Sequence, residues 1–270
     1  MEAFHVFSPG SADMEEIKVR QIEVSDVFDA LREGVDDFAA HPSHYIFVAL
    51  IYPIIGALLF AFVSGGNAFQ LLFPLMSGFA LIGPLAAIGL YEISRRRELG
   101  MDTGWKHAFD VRKSPAVPAI LAVGAMLVVL FLLWLLAAHI LFLWLYGSDQ
   151  QNVTFELLYD MISTGRGWTL ILLGNGVGFI FAVVVLCTSV IAFPILLDRD
   201  VGATSAVQAS ISAAKLNPVP MMTWGLIVVG CLILGALPGL AGLVVALPVL
   251  GHSTWHVYRK VVEPVGEAKT

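Results

Sequence analysis

His252 and His256 stand four residues apart, which puts two imidazoles on one face of a helix. Two nitrogens so placed can supply two ligands to a metal or a haem iron. No Cys, Asp or Glu joins the pair locally, and histidines at a membrane surface also serve as amphipathic anchors, the role expected of Trp255 and Tyr258. A second cluster, Glu92 with Arg95, Arg96 and Arg97, has the spacing of a local helical salt bridge. The same three arginines would also suit a lipid headgroup, an anionic ligand or a protein partner. Asn175 lies among Gly174, Gly176 and Gly178. Small residues at this spacing let helices approach closely, so its amide is either interhelical glue or the polar lining of a path. Cys187 and Cys231 are expected to be small buried hydrophobes. The chain has no phosphate-binding loop, zinc-protease motif or serine nucleophile elbow, so no catalytic residue is assigned and no enzyme activity is expected.

The elements that must hold these residues follow from composition. The chain has 270 residues, of which 58% are apolar and 13% charged, and its mean hydropathy is +0.83. Soluble domains carry about a quarter charged residues. Lipid can solvate this excess of apolar side chain, and a water-soluble core cannot. The net charge is −6, and the acid excess lies mostly near the N-terminus, which disfavours nucleic acid as a partner. Residues 1–40 hold no apolar run of the signal-peptide type, so no cleaved leader is expected.

A helix needs about 20 apolar residues to cross the hydrocarbon core. The sequence predicts six such spans, at residues 45–63, 71–91, 117–146, 169–197, 219–237 and 240–258. The third and fourth are long enough to tilt or project. Residues 221–257 are apolar throughout, too long for one crossing, and Pro238-Gly239 marks a turn that divides them. With six crossings, every one of the 15 Lys and Arg residues except Arg166 falls on one side. Basic loops stay cytoplasmic, which places both termini there and the protein in a bacterial inner membrane. His41, His44 and His107 then share that side with the His252–His256 pair.

Before each odd-numbered span an amphipathic segment ends at a proline: residues 25–42, 100–115 and 202–218. In the first, Val27, Phe28, Leu31, Val35 and Phe38 form one apolar stripe, with Ser25 as N-cap; Thr204 would cap the third. Pro stops one helix and is tolerated in the first turn of the next. The reading is an all-α polytopic bundle of three amphipathic-helix-plus-hairpin units. Residues 1–24 would be a flexible arm, 25–260 the membrane domain and 261–270 a tail. The acidic outer face of the first helix would be repelled by anionic lipid, so it is expected to dock on protein, with the Arg95–Arg97 cluster as its seat.

Several stretches carry a resemblance: His41-Pro42-Ser43, Gly83-Pro84-Leu85, residues 89–98, residues 193–202, and Asn217-Pro218-Val219-Pro220-Met221 with Trp224. Over about residues 25–260 the chain is similar to a bacterial family of predicted integral-membrane proteins, the domain of unknown function 2189. The resemblance implies a multi-spanning inner-membrane protein and brings no catalytic residues. Members are sometimes given the label cytochrome oxidase subunit I. A haem-copper core needs several membrane-embedded histidines, whereas here only His139 lies well inside a span, with Leu135, Leu136 and Leu143 at helical spacing. The residues argue against that label.

No ionisable residue falls near a predicted midplane, where pumps and ion-coupled transporters place them. The expected function is therefore a non-catalytic accessory, scaffold or assembly protein that contacts membrane lipids and other membrane proteins, with no cofactor. The alternatives are a transporter or exporter of a small apolar or amphipathic substrate through a lining at Asn175, and a haem- or metal-binding protein using His252 and His256.

Overall fold

The computed structural model describes residues 17–40, 72–147, 155–238 and 241–264. Among them regular structure is helical, apart from one isolated antiparallel bridge between Val19 and Val262. In chain order the elements are α1 (Val24–Ala40), α2 (Leu72–Phe79), a 3-10 turn (Ala80–Ile82), α3 (Gly83–Ala86), α4 (Ile88–Glu98), and a 3-10 helix (Trp105–Lys113). Then come α5 (Val117–Tyr146), α6 (Phe155–Ser163), α7 (Gly165–Ser189), α8 (Ala192–Asp198), α9 (Ala203–Leu216), α10 (Pro218–Ala236) and α11 (Leu243–Val261).

Four stretches among the described residues are long and apolar enough to cross a membrane: Phe73–Glu98, Val117–Tyr146, Gly165–Asp198 and Pro218–Ala236. The predicted first span, residues 45–63, lies outside the described residues, as do His41, His44 and the proline at 42. The predicted sixth span becomes α11, shifted three residues along the chain. It is not among the four, because its second half carries His252, Ser253, Thr254, His256, Arg259 and Lys260. That half is covered by protein: Trp255, Val257, Tyr258 and Val261 are all buried. The predicted fourth span is interrupted between α7 and α8. Pro194 has no N–H to give the carbonyl of Val190, so the helical ladder breaks there, and the Ile191 amide turns to the Ser210 hydroxyl at 3.4 Å.

The repeated construction holds for α1 and α9, each a helix near a following proline, but residues 105–113 wind as a 3-10 helix. Neither predicted cap caps. Asp26 reaches back to the Glu23 amide at 2.7 Å, the acidic half of a capping box, and α9 starts behind Gly202, with Thr204 already inside the helix.

The chain divides into two compact units. The first comprises residues 1–50, 84–125 and 186–270. Its core is α11, against which α1 packs along its length, with α4, α8 and α10 also in contact. Close approach is built in by glycine: a Cβ at Gly34 of α1 would lie 2.5 Å from the Ser253 amide nitrogen, and one at Gly251 would lie 2.5 Å from Leu90 Cδ1 of α4. Small residues therefore decide which face of α1 turns inward. Val27, Ala30, Gly34, Asp37 and Phe38 are buried, while Phe28 and Val35 of the expected stripe are exposed. Residues 18–20, expected in an arm, run beside the end of α11: the Arg20 amide donates to Val261 O at 2.9 Å and the Glu263 amide to Lys18 O at 3.1 Å.

The second unit comprises residues 51–83 and 126–185. Trp134 is its buried centre. Its indole N–H donates to Pro74 O at 2.8 Å, and the ring lies against Gly78 and Gly178, where any Cβ would collide with it. Phe142, Tyr146 and Leu157 form a small apolar cluster. Arg166 lies 4.3 Å over the Tyr146 ring and pairs with Asp160 at 3.0 Å.

Candidate functional site

Glu33 and Asp37 are one helical turn apart on α1, and the close seat of Gly34 on α11 carries both onto that helix. Ser94, Arg97 and Glu98 come from the last turns of α4, and His252 and His256 from α11. The buried Asp37 carboxylate is the hub. Its Oδ1 takes a guanidinium N–H of Arg97. Its Oδ2 accepts the Ser94 hydroxyl at 2.5 Å and faces His256 Nε2 at 2.9 Å. His252 Nδ1 lies 2.8 Å from Ser94 Oγ and 3.9 Å from Asp37 Oδ2.

The network continues outward from His256. Its Nδ1 lies 3.0 Å from Glu33 Oε2, and Glu33 Oε1 pairs with Lys260 at 3.0 Å. Both His256 nitrogens thus face carboxylates, and only a ring carrying two protons donates to both. Glu98 accepts from Trp255 Nε1 at 3.0 Å and pairs with Arg259 at 2.7 Å. Arg259 also reaches Asp198, which accepts the Tyr258 hydroxyl at 2.5 Å. Burial by itself would raise the Asp37 carboxyl. Hydrogen bonds from His256 and Ser94, with the charges of His256 and His252, outweigh it and hold the group below its ordinary range. An open cleft of about 400 Å³ exposes this network, lined by Glu33, Asp37, Ser94, Arg97, Glu98, His256 and Arg259.

The two histidines predicted as a ligand pair are therefore brought together, but onto carboxylates and a hydroxyl. No group of three or more His, Cys, Asp or Glu among the described residues is arranged to hold a metal ion. Of the arginine cluster, Arg95 binds Glu92 with two hydrogen bonds, at 2.8 and 3.1 Å, as the spacing predicted. Arg96 lies 3.6 Å from Asp110 and donates to Asp102 O at 3.2 Å. Arg97 holds Asp37, so α1 does dock on this cluster, through one arginine, while Asp36 is exposed. His107 sits elsewhere, between Asp110 at 2.5 Å and Asp102 at 3.0 Å; those two carboxylates raise its proton affinity above that of a free imidazole.

Asn175 is exposed, and its amide donates to Ile171 O of its own helix at 2.8 Å. The close packing predicted around it occurs one turn on, where Gly178 meets Trp134. His139 is half-buried in α5, and Cys187 and Cys231 are both free thiols. The residues the sequence left unassigned are Ser94 and the acidic partners of the histidines. The one local signal was an acid, Asp37, set beside Gly34 and Ala30 on the small-residue face of α1.

Residues 72–198 match the model of the family described as predicted integral membrane protein (DUF2189). Over those residues the chain is a member of that family. The match is shorter than the resemblance seen in the sequence. It takes in α2 through α8, with Ser94 and Arg97, and leaves the α1 and α11 sides of the network outside it. No curated protein and no solved structure matches the chain.

Proposed function

We propose that this integral membrane protein is a non-catalytic accessory or scaffold protein of the bacterial inner membrane, contacting other membrane proteins and lipids, with both termini in the cytoplasm. One observation carries the reading: the polar cluster is closed on itself. Asp37 is spent on Ser94, Arg97 and His256, Glu33 on His256 and Lys260, and Glu98 on Arg259 and Trp255. Such a network orders helices and leaves no base aimed at an open nucleophile. The membrane-crossing stretches carry their Asp, Glu, Lys and Arg only near their ends. The topology is supported by the packing of α1 along α11, which holds the two terminal helices on one side, as an even number of crossings requires.

The other two readings gain no support from geometry. A transport path lined by Asn175 needs an amide turned to a cavity, and this one is bonded within its own helix. A haem held by His252 and His256 would have to displace Asp37 and Ser94.

The test is purification of the tagged full chain in mild detergent with its lipids retained, followed by native mass spectrometry and absorbance. A scaffold yields a partner at constant ratio across preparations and no visible band. A chain that runs alone and carries an amphipathic substrate across liposomes would overturn the reading. So would a Soret band lost in a His252→Ala, His256→Ala double variant.

A further inference from the structure

We propose that His256 is a proton-operated latch that fastens α1 to α11 and releases it when the ring loses a proton. The latch is independent of the scaffold reading, since it concerns only how the first unit holds its N-terminal helix. The geometry is a cation seated between two anions of one helix. Glu33 and Asp37, one turn apart on α1, take Nδ1 and Nε2 of the same ring at 3.0 and 2.9 Å. A neutral imidazole has one N–H. Its other nitrogen then presents a lone pair to a carboxylate, so one hydrogen bond becomes a repulsion, and both carboxylates belong to the element that must stay docked.

The surroundings set the direction. From α4, Arg97 neutralises Asp37 on the oxygen that His256 does not use, and Glu98 is occupied by Arg259. From α11 itself, Lys260 pairs with the Glu33 oxygen that His256 does not use, and His252 reaches Asp37 only at 3.9 Å. From α8, Asp198 is taken by Tyr258 and Arg259, and α10 brings no Asp, Glu, Lys, Arg or His. The proton on His256 thus completes the charge balance between α1 and α11. The ring is 16% exposed and lines the open cleft, so the proton has a route to water. Acid must also undo the latch, once Glu33 and Asp37 are themselves protonated. Fastening therefore holds in a window, bounded below by the carboxylates and above by the imidazole.

The test is a spin-label distance measurement on the full chain in lipid nanodiscs, with Cys187 and Cys231 replaced by Ser. Labels go on the exposed positions of an Arg32→Cys, Leu216→Cys pair, in α1 and α9. Between about pH 5.5 and about pH 8.5, which brackets the range where histidine changes charge, the single short distance should give way reversibly to a broad distribution. The ratio of fastened to released chain should fall by roughly tenfold or more, the effect of losing one hydrogen bond between charged groups. His256→Gln should be broad at both values, and His256→Lys, a fixed cation, narrow at both. Distributions that do not change with pH in the unsubstituted latch would overturn the proposal without any variant having to fold. So would a His256→Gln protein that still switches.

Discussion

Gly34→Ala sets two effects of opposite sign against each other. In an exposed helix the change stabilises by about 1 kcal/mol, because alanine loses less backbone freedom. Here the new methyl would lie 2.5 Å from the Ser253 amide nitrogen and 2.7 Å from its Cα, well inside the 3.4 Å at which ordinary van der Waals contact begins. The obstruction is backbone, so no side chain can swing aside, and α1 must back away from α11. Overpacking of this kind costs about 1–3 kcal/mol. Retreat also lengthens the bonds from Asp37 to Ser94 and from Glu33 to His256, each worth about 1 kcal/mol or more. The expected net result is a loss of about 1–3 kcal/mol in a mixed-micelle unfolding titration followed by circular dichroism. Gly230→Ala is the control, since nothing lies within 4 Å of that position; it should be neutral or up to about 1 kcal/mol more stable. A Gly34→Ala protein as stable as its parent, or one that shifts together with Gly230→Ala, would show that α1 is not seated backbone to backbone on α11.

Asp37→Asn should cost about 1.5–3 kcal/mol at neutral pH, as charge-assisted hydrogen bonds to Arg97 and His256 are weakened. The folded-state value of Asp37 lies below the 3.8 of a free carboxyl, so its contribution is complete above about pH 4 and drains away as pH falls through that lower value. Unfolding titrations in acid should show this slope in the parent and not in Asp37→Asn. His107 should titrate above 6.5 by nuclear magnetic resonance, with Asp110→Asn bringing it back down. Its stabilisation is present below 6.5 and lost as pH rises through the higher folded-state value. Trp134→Ala should cost about 3–5 kcal/mol by the same unfolding assay, since it empties the space between Gly78 and Gly178 and frees the Pro74 carbonyl.

Composition and local spacing were enough for a helical membrane protein, for both ends of α5, and for the Glu92–Arg95 pair, because each depends on residues within a few turns of one another. Hydropathy sums over neighbours, and a salt bridge three residues apart needs only a helix. The polar site depended on distances along the chain that no periodicity carries: Asp37 meets Ser94 across 57 residues and His256 across 219. Whether His252 and His256 faced a metal, a lipid or a carboxylate was decided when α1 seated Gly34 on Ser253. That seat turned the small-residue face inward and left Phe28 and Val35 outside, against the apolar stripe. Side-chain size sets how near two backbones come. Nearness, together with the need to pair every buried charge, chose the partners.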